Sequence, residues 1–296
     1  MRLINDDINL YSPKKEDYLN SLEFAKTLPN SDNNNLVFHC FWRVPKEFGR
    51  KQLAVLKSII VNHIDILDTI EINLWSNVDL TENSYFKEVE KFVKFKKWDL
   101  HEEIKETVLE DCPFLFEKTN IVDDICWLES DLFRLLILHK YGGFYLDMDV
   151  LVLRSLQPLN NYEFLYQWSH GGSNGQEFSM NNAVMRLDKE SDTSLEFLEI
   201  LKITFPAKNS YCWGNQLFSR LERNNILALP CVWFDYGWIV KTPDFVDVGE
   251  VKFINGPFTW HWHNKWDADI EVGSKFQLLE EKHDKIFKEL LLNLEI

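Results

Sequence analysis

The sequence has few cysteines and no long apolar run, and both deficits limit what the chain can be. Its five cysteines are an odd number without a C-x-x-C pair, so their spacing indicates neither a zinc site nor a disulfide framework. This usage favours a reducing, cytoplasmic environment. Nowhere do about 18 apolar residues follow one another, so no transmembrane segment is predicted. Residues 1–15 are polar, so neither a signal peptide nor an anchor is expected there.

Basic residues are also scarce. The chain has 32 Lys and Arg against 47 Asp and Glu, which gives a formal net charge of −15. A general nucleic-acid binder needs a basic face to meet phosphates, so no nucleic-acid partner is expected. The 296 residues, 45% of them hydrophobic, are enough for one large α/β domain with a substantial core.

The segment from Ser130 to Leu153, SDLFRLLILHKYGGFYLDMDVLVL, carries the strongest functional signal. Its residues 144–146 and 150–153 are apolar throughout, which is typical of a strand covered on both faces. Asp147 and Asp149 interrupt this strand. Residues two apart on a strand point to the same face, where two carboxylates repel each other unless a cation or a proton lies between them. The pair therefore predicts a divalent metal site.

A helix is predicted just before this strand, over residues 131–140. It is apolar nearly all round, which indicates an interior helix. Ser130 is expected to cap its N-terminus, and Gly142-Gly143 to supply the turn that ends it. Asp131 and Arg134 lie three residues apart, so they can pair with each other and point towards whatever the carboxylates hold. The alternative is a helix-start ion pair with no further role.

Residues 130–149 resemble the S-D-x-x-R-x-x-x-L-x-x-x-G-G-x-Y-x-D-x-D signature of the DXD-containing glycosyltransferases, the family 32-like group of the yeast mannosyltransferase, the α1,4-galactosyltransferase and the large clostridial toxins. The resemblance implies a GT-A fold, a single Rossmann-like α/β domain with a central mixed, mainly parallel sheet flanked by helices. It also implies a nucleotide-sugar donor whose diphosphate is bridged by a metal. By position, Asp147 and Asp149 would be the DXD carboxylates. Asp131 and Arg134 would contact the donor sugar, and Tyr145 would line the donor site.

Other segments resemble the group in the same order, over roughly residues 36–266. Residues 36–42 are similar to its first strand, whose I-H-x-x-W ending implies that His39 and Trp42 lie at the donor nucleotide. Residues 70–75 are similar to its second strand.

Two amides are candidates to steady the cationic sugar during transfer. Residues 180–185 resemble the strand that carries Asn182 to the sugar, and residues 212–216 resemble a W-G-x-Q segment that ends at Gln216. The alternative for both side chains is a buried, hydrogen-bonded amide.

Residues 260–265 resemble a C-terminal H-x-W-N-K motif, which implies that Trp262 and Lys265 lie at the donor. A histidine of this segment is expected as the third metal ligand. His261 is favoured over His263 because its spacing to the following asparagine matches the motif. Imidazole suits Mn²⁺ better than Mg²⁺, so Mn²⁺ is the expected cofactor and Mg²⁺ the alternative.

The predicted organisation is an N-terminal extension over residues 1–35, a GT-A domain over 36–272 and a C-terminal helix over 273–296 that packs on the domain. A helix over residues 51–63 is expected to cross between the first two strands. Residues 171–178 form a glycine-rich loop, and the aromatic residues between 211 and 266 are either an acceptor groove or a packed core.

The resemblance implies a metal-dependent, retaining hexosyltransferase. It would use a nucleotide sugar, with UDP-sugars favoured, and a glycan or other hydroxyl acceptor. The missing anchor departs from the Golgi members and predicts a soluble cytoplasmic enzyme of bacterial or viral type.

Two alternatives to this function stay open. Residues 146–150 also fit the D-x-D-x-[TV] motif of haloacid-dehalogenase phosphatases, although that family has its acidic pair downstream and Asp123-Asp124 lie upstream. A non-catalytic sugar-binding protein would not require the dicarboxylate.

Overall fold

The computed structural model describes residues 15–43, 47–112, 127–167, 180–204, 217, 226–238 and 255–294, with the backbone alone at 15–19, 127 and 238. The W-G-x-Q segment with Gln216, the glycine-rich loop at 171–178 and the Asp123-Asp124 pair lie outside the described residues.

Seven of the described strands form one sheet. With strands numbered in chain order, its spatial order is β3 (Val93–Lys97), β2 (Glu71–Ser76), β1 (Val37–Trp42), β4 (Gly143–Leu146), β7 (Met180–Leu187), β6 (Phe164–Gln167) and β8 (Leu227–Leu229). Strands β3, β2, β1 and β4 are mutually parallel, β7 is antiparallel to both neighbours, and β6 is parallel to β8. The predicted α/β class with a mixed, mainly parallel sheet is confirmed.

The described residues include seven α-helices. They are α1 (Lys15–Thr27), α2 (Arg50–Val61), α3 (Ser84–Lys87), α4 (Leu100–Glu103), α5 (Trp127–Tyr141), α6 (Asp192–Ile203) and α7 (Lys275–Leu294). Helix α2 crosses between the parallel strands β1 and β2, as predicted, and the C-terminal helix α7 packs on α2. None of the helices in the described ranges combines the length and apolar character needed to span a membrane.

Helix α5 is an interior helix, as its composition predicts, because Leu132, Phe133, Leu135 and Leu136 have no exposed surface. The predicted N-cap is wrong. Ser130 lies inside the helix, which is already formed at Trp127. Its hydroxyl oxygen accepts a hydrogen bond from Arg134 instead of from a backbone N–H.

Two glycines end α5 and start β4 for a steric reason. Gly142 and Gly143 have φ of 68° and 97°, in the left-handed region that side chains disfavour. A Cβ on Gly143 would overlap the carbonyl oxygen of Val37 on the adjacent strand. The turn can therefore be tight enough to bring β4 directly beside β1.

The expectation of one strand through the two aspartates is wrong. Strand β4 ends at Leu146, and β5 (Val150–Val152) pairs antiparallel with β9 (Thr259–His261) in a separate two-stranded sheet. Between them the chain turns, with the N–H of Val150 donating to the carbonyl of Asp147 at 3.1 Å. Two apolar strands in different sheets and one interrupted strand have the same sequence pattern. The turn, rather than the pleat of a strand, brings the carboxylates together.

The sheet gathers several chain segments at one edge. The carboxyl ends of β1, β4, β6 and β8 lie there with the amino end of β7, as the strand directions require. The chain leaves β1 towards β2 on one side, whereas β4 lies on the other side. Ligands of open α/β sheets bind outside the carboxyl ends of strands at such a reversal of strand order.

Candidate active site

Arg134 links helix α5 to Asp147, which follows β4, and to Asn182 on β7. Its Nη2 and Nη1 donate to Oδ1 and Oδ2 of Asp147 at 3.0 and 3.3 Å. Nη1 also donates to the side-chain and backbone oxygens of Asn182 at 2.9 and 2.8 Å, and Nη2 donates to Ser130 Oγ at 2.8 Å. Asn182 donates in turn to Asp131, which lies 3.5 Å from Arg134. Four residues predicted from sequence thus surround one another.

Asp147 is held by a second donor besides Arg134. The hydroxyl of Tyr145 donates to Oδ1 at 2.7 Å, and the guanidinium carbon lies 4.4 Å from the centroid of the same tyrosine ring. Burial, reinforced by the charge of Asp149, raises the pKa of Asp147, and Arg134 opposes this effect. A cation near the two carboxylates would favour their ionised forms.

The β5–β9 pairing brings Asp149 to His261, because Val150 lies opposite His261 in the register. The Asp149 Oδ2 atom is 3.2 Å from His261 Nε2 and accepts the backbone N–H of Asn264 at 2.7 Å. Burial alone would raise the pKa of Asp149 and lower that of His261. Their mutual attraction outweighs it, so the pKa of Asp149 is lowered and that of His261 is raised to about 9. A cation binding here would replace the proton between them.

Asp147, Asp149 and His261 fit a divalent cation. Two carboxylate oxygens and one imidazole nitrogen lie within 4.8 Å of one another. Asp149 is 1% exposed, so its carboxylate is buried and faces the other two groups. Such an oxygen-rich set with one nitrogen matches Mn²⁺ and accepts Mg²⁺.

The other ring nitrogen of His261, Nδ1, lies near a further buried carboxylate, that of Asp235. Its Nδ1 lies 3.1 Å from the hydroxyl of Tyr166 and 3.8 Å from Asp235 Oδ2. The same Asp235 oxygen lies 2.8 Å from Nε2 of His263. Asp235, His261 and His263 form a second group with ligand atoms within 4.8 Å of one another.

The loop after β9 is held in place by one lysine. Lys51 Nζ on α2 donates to the carbonyls of Lys265, Trp266 and Ala268 at 2.6, 2.7 and 2.6 Å. Two consecutive non-glycine residues of this loop, His263 and Asn264, have positive φ of 53° and 54°. This conformation turns the Asn264 N–H towards Asp149.

His39 lies opposite Tyr145 in the β1–β4 register, but its ring contacts other groups. It is buried, with Trp75 Nε1 donating to its Nδ1 at 3.1 Å and its Nε2 3.1 Å from the carbonyl of Gly142. Burial lowers the pKa of His39 to about 4, so the ring is neutral. Both ring nitrogens are engaged within the protein.

The two tryptophans predicted at the donor lie in the core. Trp42 is 5% exposed and Trp262 has no exposed surface. Both rings pack edge-on against Trp266, with centroid distances of 4.9 and 4.6 Å. Lys265 is exposed on the loop. The described aromatic side chains between residues 226 and 262 pack in the core, so the second of the two alternatives applies to them.

Sequence reasoning missed three residues at the site: Ser130 as a partner of Arg134, Tyr166 and Asp235. The first was assigned to a cap, and the second had no distinguishing pattern. Asp235 carried a usable signal, since it is a single carboxylate in the aromatic run 233–238, WFDYGW. Burying a lone carboxylate is costly, as it is for the DXD pair, so Asp235 also needs a partner.

Comparison with known proteins supports the sequence resemblance for part of the chain. Residues 57–165 match the family described as "Glycosyltransferase sugar-binding region containing DXD motif", and this segment includes Arg134, Asp147 and Asp149. An uncharacterized protein of Arabidopsis thaliana is 29% identical over 222 residues. That alignment covers 72% of this chain and 32% of the relative, so the chain spans about a third of the relative's length.

Solved structures of glycosyltransferases are similar at a lower level. The glycosyltransferase GlyE of Streptococcus pneumoniae is 13% identical over 88% of this chain and 64% of its own, with a TM-score of 0.47. The galactosyltransferase LgtC, solved with donor and acceptor sugar analogs, is 14% identical over 83% and 96% of the two chains, with a TM-score of 0.43. The PaToxG glycosyltransferase is 15% identical over 69% and 74%, with a TM-score of 0.46.

Proposed function

We propose that this chain is a metal-dependent, retaining glycosyltransferase. It would move a hexose-type sugar from a nucleotide sugar, with UDP-sugars favoured, to a hydroxyl of a glycan or other acceptor. The observation that carries the proposal is the convergence of Asp147, Asp149 and His261 at the carboxyl edge of the sheet. The two aspartates lie in the segment that matches the DXD glycosyltransferase region.

The charge at this edge supports a diphosphate substrate bound through a cation. Asp147 and Asp149 would repel the diphosphate if they met it directly, whereas a divalent ion held by them and His261 attracts it. When bound, such an ion acts as a Lewis acid on the departing diphosphate.

The chain's own residues would orient the sugar. Asp131 and Asn182 are linked to each other and to Arg134, so they form a polar wall of fixed geometry next to the carboxylates. Asn182 is partly exposed, which leaves its surface accessible to a sugar hydroxyl. Arg134 binds both Asn182 and Asp147. It would thereby set the distance between the sugar, which would lie at Asn182, and the diphosphate, which would lie at the cation held by Asp147.

The phosphatase alternative has less support. Its nucleophile motif belongs on the first strand of the sheet, whereas Asp147 follows β4, which is the fourth strand along the chain among those described. The Asp147 carboxylate is also bonded by Arg134 and Tyr145 on both oxygens, which opposes a role as a free nucleophile.

The first test is metal-dependent release of nucleoside diphosphate from a panel of UDP- and GDP-sugars. We expect activity with Mn²⁺, none in EDTA, and a loss of at least about a hundredfold in Asp149→Asn with the fold intact by circular dichroism. Asp188→Asn, at an exposed carboxylate paired with Arg186, is the control and should keep activity. Full turnover in EDTA, or release of inorganic phosphate from a phosphomonoester instead, contradicts the proposal.

The second test is stereochemical. With an α-linked donor, the first sugar product should be α-linked. An NMR time course of the anomeric proton distinguishes this outcome from inversion, and a β-linked first product would show that the retaining assignment is wrong.

A further inference from the structure

Asp235 is a buried carboxylate for which the glycosyltransferase proposal gives no role. It has no exposed surface, and within the described parts of the chain neither of its oxygens accepts an aligned hydrogen bond. Two imidazole nitrogens approach it, His263 Nε2 at 2.8 Å and His261 Nδ1 at 3.8 Å. A buried carboxylate is costly unless it is paired or binds a metal.

We propose that Asp235, His261 and His263 form a second divalent-cation site beside the DXD pair. Bonds from zinc to nitrogen or oxygen are roughly 2.0–2.2 Å, so two ligands of one ion lie at most about 4.3 Å apart. The measured separations of 2.8 and 3.8 Å satisfy this limit. Two nitrogen atoms converge on one Asp235 oxygen, which is the arrangement expected of three groups directed at a common ion.

The donor set predicts which cations this site takes. Asp147 and Asp149 give the first site two carboxylates and one imidazole, whereas the second site has two imidazoles and one carboxylate. Imidazole-rich sets bind Zn²⁺ and Co²⁺ more strongly than Mn²⁺ or Mg²⁺. The second site should therefore favour Zn²⁺ or Co²⁺ over Mn²⁺ more strongly than the first site does.

The two sites share His261, and this determines how they interact. A neutral imidazole has one lone pair, so the ring offers either Nε2 to the DXD pair or Nδ1 to Asp235, with the other nitrogen protonated. The hydroxyl oxygen of Tyr166 lies 3.1 Å from Nδ1 and can accept a hydrogen bond from the Nδ1–H when Nε2 is the ligand. A Zn²⁺ or Co²⁺ ion at the second site consequently removes the third ligand of the first site, so the two cations bind in competition.

The test is a Co²⁺ titration of the metal-free full chain, followed by visible absorption, with no nucleotide sugar present. Because His263 has a positive φ, His263→Asn suits the backbone better than alanine. We expect His263→Asn and Asp235→Asn to raise the Co²⁺ concentration at half saturation by about tenfold or more. Asp147→Asn, the matched change at the first site, should alter it by less than about threefold.

The competition is tested separately by electron paramagnetic resonance of bound Mn²⁺. Zn²⁺ should displace Mn²⁺ from the unchanged protein at lower concentration than from His263→Asn. Unchanged Co²⁺ binding in His263→Asn, or an equal loss in Asp147→Asn, overturns the second site. The His263 side chain is 29% exposed, so this variant keeps the test valid if Asp235→Asn fails to fold. Neither readout needs turnover, so failure here is distinguishable from failure of the glycosyltransferase proposal.

Discussion

Arg134 organises the site through hydrogen bonds to protein groups. Each of its three nitrogens donates to a described residue, and its partners come from α5, the turn after β4 and the start of β7. Burial opposes its charge, but Asp147, Tyr145 and Asp131 raise the pKa of Arg134 above its ordinary value, so it stays charged. A planar guanidinium can meet several oxygens at once, which a lysine ammonium cannot do in the same geometry.

Tyr145 should act on the metal site through Asp147. Tyr145→Phe removes the hydroxyl that donates to Oδ1 at 2.7 Å and leaves Arg134 in place. Because groups that orient metal ligands contribute about ten- to a hundredfold to metal affinity, the Mn²⁺ concentration for half-maximal donor hydrolysis should rise by about tenfold. Tyr141→Phe is the control, since its hydroxyl donates to Glu103 away from the carboxylates. An equal effect of both changes would contradict the assigned role.

At this scale the sequence predicted four side chains that contact one another, and it missed Ser130, Tyr166 and Asp235. Asp131, Arg134, Asp147 and Asn182 were predicted and do lie together. The aromatic surroundings of Asp235 indicate a buried carboxylate, but they do not identify its partners. His261 and His263 lie more than 20 residues further along the chain, and no motif links them to Asp235.

The loop from 262 to 268 is the element that completes the first site. It supplies the Asn264 N–H to Asp149, and it is anchored by the Lys51 ammonium, which donates hydrogen bonds to three of its carbonyls. The loop therefore depends on α2, a helix that itself contributes no ligand. Stabilising the loop and binding the cation should be coupled.

Lys51→Met should loosen this loop while preserving most of the apolar contact of the side chain. Losing three charge-assisted hydrogen bonds to backbone carbonyls predicts a loss of about 2–3 kcal/mol in the free energy of unfolding. The apparent Mn²⁺ dissociation constant should also rise by about threefold or more, measured by calorimetry. Lys57→Met on the same helix is the control, because Lys57 pairs with Glu88 and Asp284 instead of the loop. It should lower stability without changing Mn²⁺ binding; identical metal affinity in both variants would contradict the coupling.

Sequence patterns predicted the elements better than the connections between them. The helix over 51–63 and the first two strands were predicted within one or two residues of the observed bounds. The boundary between β4 and β5 was missed, because an apolar run does not reveal that its two halves belong to different sheets. The donor-site roles expected for Trp42 and Trp262 stay predictions. In the structure, both rings lie buried against Trp266.

At the scale of the whole molecule, four of the described histidines fall into two electrostatic classes. His261, beside carboxylates, has its pKa raised to about 9, whereas burial lowers the pKa of His39, His63 and His283 to about 4. The neutral rings are structural. His63, for example, accepts the N–H of Leu156 at 3.0 Å on Nε2, so a proton on that nitrogen would break the bond.

These neutral histidines predict how stability depends on pH. Their pKa in the folded protein, about 4, lies below the unfolded value near 6.5, so the unfolded chain binds protons more readily between these limits. Their contribution is complete above pH 6.5 and is lost as the pH falls towards 4. For His63 alone, the loss between pH 7 and pH 5 amounts to about 2 kcal/mol.

His63→Gln isolates this contribution from that of the carboxylates, which titrate in the same pH range. The variant should be less stable than the unchanged protein at pH 7, and the difference in unfolding free energy should shrink by about 2 kcal/mol at pH 5, because glutamine has no proton to gain. Ser58→Ala is the matched control: it removes a buried hydroxyl on α2 that accepts from the N–H of Val152 on β5, and it introduces no titration. Its stability difference should be the same at both pH values in urea unfolding. A constant difference for His63→Gln as well would show that His63 does not resist protonation in the folded protein.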